Sequence, residues 1–316
     1  MKVLNLLYSL LSLLLKLLVV LTLFFLVYIS LPIKTTQTVT LPKGSITKSI
    51  KHLKKQGYPL TQLDTYILAY LLNQPKSGIL TIGKGSMSRI KFLQKLSSAK
   101  EAIDIVTLIP GETLAIFLEE LAKNQNLDLK KLTKAYNQFS SYQEAGIVPD
   151  TYHIAKNTSE EILIKNLIEQ SEKRYKSLAL KYLNSYNKKE WLTILTMASV
   201  VQKEAANTEE MPIIASVINN RIKIGMALQM DGTLNYGKYS HIKVTPTRIK
   251  TDTTGFNTYM NKGLPPYPVC SVSLPAIQAV LHPKETDYLY FMKNKNDVHD
   301  FTNSYKSHLK NIKKAK

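Results

Sequence analysis

Cysteine is nearly absent from this chain of 316 residues, which contains Cys270 alone. A single thiol cannot form an intramolecular disulfide, so the fold depends on its core, and we expect Cys270 to be buried. Histidine is also scarce, and the six that are present are scattered without a His-Glu-x-x-His or comparable ligand spacing. The sequence therefore predicts no metal site, and nothing in it indicates a cofactor.

Acidic residues are outnumbered, because 23 Asp and Glu stand against 42 Lys and Arg, giving a formal net charge of +19. Such a balance indicates an anionic neighbour: nucleic acid, a phospholipid surface or an acidic polymer. The basic residues are spread along the chain, with one cluster at 306–316. Since no zinc-finger spacing or RNA-binding aromatic signature accompanies them, we do not expect nucleic acid. A lysine-rich proteome would explain much of the charge without any partner.

The N-terminus contains a long apolar run. Residues 3–33 are apolar except for Asn5, Lys16 and a few hydroxyl side chains. About 20 apolar residues suffice to cross a bilayer, so we predict an uncleaved transmembrane anchor at about residues 11–31. A cleaved signal peptide is the alternative, but its apolar core is usually shorter, and residues 28–32 make a poor cleavage site.

The orientation of this anchor is predicted from its short N-terminal flank. Lys2 and Lys16 favour a cytoplasmic N-terminus, which places everything after about residue 34 outside the plasma (inner) membrane. The remaining length predicts about two domains, and a hydrophobic content of 44% is enough for a sizeable core.

Residues 191–237 carry the most informative pattern, a nearly all-apolar segment that ends in the single carboxylate of Glu204. At 3.6 residues per turn, one apolar stripe comprises Trp191, Ile194, Leu195, Ala198, Val201 and Ala205, and Glu204 lies on a second face with Thr193, Met197 and Val200. This pattern predicts a helix that is buried on most sides. Burial and the helix dipole both disfavour a negative charge at its C-terminal end, so the pKa of Glu204 should be raised, as a general acid requires. The alternative is a glutamate that marks the exit of the helix to solvent.

Short segments follow one another in a fixed order around this helix. The series is ASVVQKEA, the acidic pair Glu209 and Glu210, IASVINNRI, GMALQMDGTLNYG, FNTY and KGLPP. Flanking segments are IVPDTYHI at 147–154, TSEEIL at 158–163, HPKETDYLYF at 282–291 and HDFTNSYKSH at 299–308. Together they resemble the YceG/MltG family of endolytic murein transglycosylases, and the resemblance runs from the anchor to the C-terminus. The ensemble is specific, although each segment alone would be weak.

The resemblance implies a membrane-anchored lyase that cuts nascent peptidoglycan strands internally. Glu204 would protonate the β-1,4 bond between N-acetylmuramic acid and N-acetylglucosamine. It would then take the proton from the muramic C6 hydroxyl, which closes onto C1 and leaves a 1,6-anhydro end. Asp231 is the rival for a second catalytic carboxylate, which would permit ordinary hydrolysis. A non-catalytic peptidoglycan-binding scaffold of the cell-wall machinery is the alternative of a different class.

Substrate-binding residues are implied by the family's motifs at matching positions. Gln229 and Asp231 match its Leu-Gln-x-Asp loop and would orient the sugar or the catalytic acid. Asn257 and Tyr259 match its Asn-Thr-Tyr element, and amide and phenol groups suit the N-acetyl group and the sugar face. The sequence departs from the family at Gly232, where proline is frequent after the aspartate.

An Asn-Arg pair of the family matches Asn220 and Arg221. Arg221 would bind a muramic lactyl or stem-peptide carboxylate, or it would form an ion pair with Glu209 or Glu210. We favour the structural ion pair slightly.

The predicted architecture is α+β, with a transmembrane anchor at 1–34, a small α/β region at 35–145 that the resemblance implies to be LysM-like, and a helix-rich catalytic domain at 146–316. In the middle region a strand, a glycine turn and a helix recur loosely at 39–45, 80–86 and 106–112. The Ser or Thr after each glycine is predicted to cap the helix. The LysM-like region would contact glycan or serve as a platform that sets the height of the catalytic part. A peptidoglycan synthase partner is implied by the family alone.

Local patterns predict the elements of the catalytic region. A polar helix is expected over about 171–189, and a further helix from about Thr208, with two glutamates in its first turn, to Gly225. Residues 263–268 are rich in proline and predict loops. Residues 288–291 form the clearest strand pattern.

Overall fold

The computed structural model describes residues 2–315 of the chain. The chain forms two compact units, the first comprising Met1–Asp104 with His153–Asn157 and the second Ile105–Tyr152 with Thr158–Lys316. Helices predominate and the strands form two-stranded sheets, which confirms the helix-rich α+β class with an apolar N-terminal helix. These compact units are a different kind of division from the predicted regions at 1–34, 35–145 and 146–316. The N-terminal helix packs on the core that follows it. The division of roles among those regions stays a prediction.

The first unit is built from short elements around one apolar core. Its elements are α1 (Lys2–Ser30), β1 (Pro32–Thr35), β2 (Thr38–Leu41), α2 (Ile46–Lys55), α3 (Gln62–Tyr66) continued by a π-helical turn (Ile67–Leu71), β3 (Gly78–Thr81), β4 (Gly85–Ser88) and α4 (Arg89–Ser98). Strand β1 pairs antiparallel with β4, and β2 pairs antiparallel with β3. Their inward side chains alternate with exposed ones, as expected for sheets that cover a core on one face.

Helix α1 is long and apolar enough to cross a membrane over Leu6–Ser30, and none of these residues is fully buried. The predicted span at 11–31 therefore lies almost entirely within one continuous helix. Its last turns pack on the first unit through Phe25, Tyr28 and Ile29.

A buried ion pair ties the end of α1 to the unit that follows it. Arg89 donates to Asp64 over 2.7 Å, and both side chains are almost fully buried. The hydroxyl of Tyr28 donates to the same carboxylate over 2.9 Å, and the guanidinium lies over the Tyr28 ring at 4.3 Å. The amide of Arg89 also donates to the carbonyl of Leu31. Removing one partner of such a pair would be strongly destabilising, because it would leave a buried charge uncompensated.

Two of the three predicted helix caps are confirmed. Ser45 accepts from the amide of Lys48 at the start of α2, and Thr113 accepts from the amide of Ile116 two residues after Gly111. The prediction for Ser86 is wrong, because this residue lies in β4 opposite Lys34 of β1. Helix α4 begins only after Ser88, three residues beyond the glycine.

The second unit carries most of the helices. After β5 (Ile103–Leu108), the elements are α5 (Leu114–Gln125), α6 (Leu129–Phe139), β6 (Asp150–Ala155), α7 (Glu160–Leu183), α8 (Lys188–Glu204), α9 (Met211–Lys223), 3-10 turns at Asp231–Leu234 and Gly237–Tyr239, α10 (Pro246–Thr251), α11 (Leu274–Leu281), β7 (Tyr290–Lys293), β8 (His299–Thr302) and α12 (Tyr305–Ala315). Strand β5 pairs with β6. Strands β7 and β8 pair antiparallel.

Helix α8 lies at the centre of this unit and packs against α9 and α11. Its apolar residues face the core on most sides, as predicted, with Trp191 packed between Tyr175 and Tyr186. Each fully buried large apolar side chain stabilises the fold by about 1.5–3 kcal/mol. Cys270 is completely buried, which confirms the prediction for the lone thiol.

Several predicted boundaries in this unit are wrong. The helix expected over 171–189 runs over 160–183, because Asn184 adopts a left-handed conformation and Asn187 caps α8. Helix α9 begins at Met211 rather than near Thr208. Two glutamates therefore precede it, and the Glu210 carboxylate accepts from the amides of Ala206 and His299 instead. Gly225 lies just past the helix with a positive φ of 68°, as predicted. The predicted strand at 288–291 is shifted by two residues, to 290–293.

Candidate functional site

Glu204 is the last residue of α8, and its side chain is partly buried beneath the loop that follows α9. The backbone N–H of Gly232 donates to Oε1 of Glu204 over 2.7 Å. The contact is close because Gly232 has no side chain: a methyl carbon placed there would lie 2.7 Å from that oxygen and 2.6 Å from Cβ of Lys203. One carboxylate oxygen is thus held by the protein, which fixes the orientation of the group.

Burial raises the pKa of Glu204 to about 7. The negative charge of Asp231 raises it further, whereas the Gly232 N–H bond and the positive charge of Arg221 lower it. Because desolvation is the largest of these effects, the carboxyl group holds its proton in a substantial fraction of molecules near neutral pH. The raised pKa agrees with the pattern of the surrounding helix, and a group that titrates near neutrality can give and take a proton.

Asp231 and Tyr259 form the polar side of the same neighbourhood. The Tyr259 hydroxyl donates to Oδ1 of Asp231 over 2.6 Å, and Asp231 itself is exposed. Burial, followed by the bond to Asp231, raises the pKa of Tyr259, so the phenol stays a donor. Two of the predicted residues are therefore in direct contact. The charge of Asp231 raises the pKa of Glu204, and the charge of Glu204 raises the pKa of Tyr259.

Thr258 joins the two loops that carry these residues, and sequence reasoning missed its role. Its carbonyl accepts from the amide of Gln229, and its hydroxyl oxygen accepts from the amide of Met230 over 3.1 Å. The hydroxyl also bonds that of Thr233 over 3.0 Å. The side chain is 1% exposed, so its contribution is to hold the loops together. Its place inside the Asn-Thr-Tyr element was the available signal.

Gln229 lies on this loop with its side chain exposed. Its backbone has a φ of 50°, in the left-handed region that non-glycine residues adopt infrequently. The amide that it donates to Thr258 stabilises this conformation. The structure leaves the Gln229 side chain available to a ligand.

Asn257 is placed differently from the prediction of a direct sugar contact. It is fully buried, and its amide nitrogen donates to the carbonyls of Ile249 and Asp252. Its side-chain oxygen accepts from the amide of Tyr259. The prediction is corrected, because a buried amide with these partners supports the loop from behind and sets the position of Tyr259.

Asn220 also acts as a support, since its amide donates to the carbonyls of Thr286 and Tyr288. Arg221 donates through Nε to the carbonyl of Leu289 over 2.6 Å and through a second nitrogen to the carbonyl of Leu228. These bonds anchor the start of the Gln229 loop to the strand region.

The predicted ion pair between Arg221 and Glu209 or Glu210 is wrong. The Glu210 carboxylate instead bonds both the backbone amide and Nδ1 of His299, each over 2.7 Å. Arg221 is 7% exposed, and burial lowers its pKa from the usual value. The positive charge of its guanidinium lowers the pKa of Glu204. Arg221 therefore acts on the candidate acid rather than on Glu209 or Glu210.

The arrangement thus brings together Glu204, Asp231, Tyr259 and Arg221, with Gln229 on the same loop. Within residues 2–315, no three His, Cys, Asp or Glu side chains are grouped so that they could hold a metal ion. Two cavities of the second unit lie elsewhere. One of about 710 Å³ is lined by residues of 284–288, 299–301 and α12, and one of about 320 Å³ by residues of α5, α6 and 236–268. Glu204 lines neither cavity.

Comparison with known proteins assigns the family. The profile of the YceG-like family matches residues 39–314. The chain is 29% identical over 309 residues to the endolytic murein transglycosylase of Bacillus subtilis, covering 88% of this chain and 84% of that protein. It is 34% identical over 178 residues to the protein of the same name from Streptococcus pneumoniae, covering 54% of this chain and 31% of that longer protein. The crystal structure of a yceG-like protein from Listeria monocytogenes shares the fold, with a TM-score of 0.56 and 24% identity over 88% of this chain and 99% of that one. The chain therefore belongs to the YceG-like family.

Proposed function

We propose that the protein is a peptidoglycan lytic transglycosylase, a lyase that cleaves the β-1,4 bond between N-acetylmuramic acid and N-acetylglucosamine. The observation that carries the proposal is Glu204, a carboxyl group with a pKa of about 7 at the end of a buried helix, held through one oxygen by a backbone N–H. The relatives named endolytic murein transglycosylase support the same activity.

Glu144 is the other carboxyl group that deserves comparison, because burial raises its pKa to about 8. Both of its oxygens accept from the amide of Leu114, and Oε1 also accepts from the amide of Ala145. It is 7% exposed. Those contacts fit a structural role at the start of α5, whereas Glu204 has one oxygen bonded to the protein and one free to act on a substrate.

The proposed reaction uses Glu204 twice. The protonated carboxyl group gives its proton to the oxygen that bridges the two sugars, and the C1–O bond of the muramic residue breaks as the N-acetylglucosamine hydroxyl leaves. The muramic C6 hydroxyl then bonds to C1, and its proton passes to the Glu204 carboxylate. The products are a 1,6-anhydro end and a free hydroxyl end, and the enzyme returns to its starting protonation state. Attack from within the same sugar gains from a nucleophile that is already in place.

Neighbouring residues support this role without forming bonds to the substrate's reacting atoms. Asp231 keeps the Glu204 proton bound by its negative charge, and Tyr259 fixes Asp231. The exposed Gln229 amide is suited to a sugar hydroxyl or N-acetyl group. Arg221 keeps positive charge near the site and limits the rise of the Glu204 pKa. If Asp231 instead activated water, the enzyme would be an ordinary hydrolase.

The proposed location follows from α1, which we assign as a single-pass anchor with a cytoplasmic N-terminus. The rest of the chain would then lie outside the plasma membrane, where nascent strands emerge and where cleavage would end their elongation. A synthase is a natural partner for such an enzyme. Residues 35–145 would act as the LysM-like region, either contacting glycan or serving as a platform that sets the height of the catalytic part.

Digestion of purified peptidoglycan by the full chain, with product masses recorded, tests the proposal. Anhydro ends are expected; reducing ends would indicate a hydrolase, and unchanged substrate would favour the non-catalytic scaffold. Glu204→Gln should abolish cleavage while the fold is kept. Glu144→Gln, at the other buried carboxyl group, and Glu209→Gln, at an exposed one, are the matched controls and should still cleave. A Glu204→Gln variant that cuts well would disprove the assignment of the acid.

A further inference from the structure

The first unit exposes a cluster of aromatic and aliphatic side chains on α3 and the π-helical turn. Leu63, Tyr66, Tyr70 and Leu71 are 40%, 50%, 81% and 65% exposed, and the two tyrosine rings stack with centroids 6.3 Å apart. We call these four residues the tyrosine patch. The opposite face of the same segment, which includes Ile67 and Leu68, is buried in the core of the unit. An apolar face of this kind on one short segment is typical of a surface that meets a partner.

The patch begins where α1 meets the first unit. Thr61 caps α3, and its hydroxyl oxygen lies 2.5 Å from the Tyr28 hydroxyl, which also donates to Asp64 inside α3. Tyr28 is two residues from the end of α1 at Ser30. The start of α3 is therefore fixed at the level of the last turn of the anchor.

The length of the anchor gives the depth of that level. The 25 residues of Leu6–Ser30 form a helix about 37 Å long, at 1.5 Å per residue, whereas the hydrocarbon core of a bilayer is about 30 Å thick. With the helix centred on that core, about 3.5 Å extends beyond it at each end, so the last residues of α1, from Tyr28, reach the headgroup region. The patch, on the ten residues that follow Thr61, lies within about 15 Å of it.

The charge of this part of the chain fits an anionic headgroup layer. Between residues 32 and 104, twelve Lys and Arg stand against three Asp and Glu, and one of those acids, Asp64, is already paired with Arg89. Lysines near an anionic bilayer surface add binding energy of about 1 kcal/mol each. Tyrosine, like tryptophan, is enriched at the boundary between headgroups and acyl chains, since its ring is apolar and its hydroxyl is polar.

We infer that the tyrosine patch rests in the headgroup region of an anionic phospholipid bilayer and gives the first unit a second attachment to the membrane beside α1. This inference rests on the proposed anchoring of α1. An anionic wall polymer would satisfy the lysines, but it would not account for two exposed leucines beside the anchor.

Depth-dependent fluorescence quenching tests the inference on the full chain in liposomes that contain phosphatidylglycerol. Because Cys270 is completely buried, a cysteine introduced by Tyr70→Cys is expected to be the site that takes an environment-sensitive label. Leu18→Cys reports on the anchor, and Tyr305→Cys is the matched control, an exposed tyrosine (59%) in the second unit. Lipids carry the spin label either at the headgroup or at the acyl C5 position.

The label at position 70 should be quenched at least twofold by headgroup and C5 spin labels, and the label at position 305 should be unaffected. Quenching at 18 together with equal, weak quenching at 70 and 305 would overturn the inference while leaving the anchor intact. Protection of position 70 by added glycan strands, without quenching by lipid, would overturn it in favour of a wall polymer. If position 18 were unquenched, the anchoring would fail and the inference with it.

Discussion

The backbone N–H of Gly232 donates to Oε1 of Glu204 over 2.7 Å, at a point where a methyl group on Gly232 would collide with that oxygen. We expect Gly232→Ala to displace the acid and to lower the rate of anhydro-end formation about 10- to 100-fold, since a misplacement of about 1 Å can cost about 100-fold. The fold should survive, which circular dichroism would check. A variant with wild-type rate and an unchanged pH profile would show that this contact does not position the acid.

The pH profile of cleavage should report the Glu204 proton. Since the first step requires the protonated group and its pKa is about 7, kcat/KM should fall about tenfold per pH unit above that value. Asp231→Asn removes a charge that raises this pKa, so the alkaline limb should move to lower pH. Glu209→Gln, which removes an exposed charge on the same connection, should leave the limb in place. If the alkaline limb did not move in Asp231→Asn, the charge of Asp231 would have no effect on the pKa of Glu204.

Glu204 should also make stability depend on pH. A carboxyl group whose folded pKa lies above its unfolded value of 4.5 favours the folded state fully below pH 4.5, and this contribution is lost as pH rises through about 7. Glu204→Gln avoids that loss, so it should be about as stable as the wild type at pH 4.5 and more stable by up to about 3 kcal/mol at pH 8.5. Urea unfolding at several pH values measures the difference. A gap that does not change with pH would mean that the carboxylate is well solvated.

Arg221 should matter to stability through the planar shape of its side chain. Arg221→Lys keeps the charge but cannot reach the carbonyls of Leu228 and Leu289 in the same way, so we expect a loss of about 1–3 kcal/mol together with lower activity. Arg174→Lys is the control, because its ion pair with Asp150 is exposed and should contribute less than about 1 kcal/mol. Thermal unfolding of both variants gives the comparison, and equal effects would contradict the role of Arg221 as a tie between segments.

Glu204 was conspicuous in the sequence because α8 is apolar on nearly all sides, whereas Gln229, Asp231 and Tyr259 were implied only by the family resemblance. Hydrogen-bond partners that a motif does not reveal were the main source of error. Asn257 was expected at the sugar because its amide suits one, yet the carbonyls of Ile249 and Asp252 bind it in the interior. The ion pair predicted for Arg221 failed for the same reason, since His299 binds Glu210 from 89 residues away.

Helices α11 and α12 were among those missed, for different physical reasons. Helix α11 is only eight residues long and too short for a clear period, although Ser273 followed by Pro275 was a usable start signal. Helix α12 has a basic, amphipathic sequence that was noted only as a charge cluster. The predicted start of α9 was three residues early, because the two glutamates satisfied the rule for a first turn while the structure uses Glu210 elsewhere.

The contacts of Tyr28 bear on any shortened form of the protein prepared for work without lipid. A chain cut to begin at Pro32 would lose the ring that covers the Arg89 guanidinium and one of the donors to Asp64, leaving a buried charge pair beside an open gap. It would also uncover the surface on which Phe25 and Ile29 pack. Keeping the last two turns of α1 avoids both defects. The short apolar segment that remains exposed can be covered by a mild detergent.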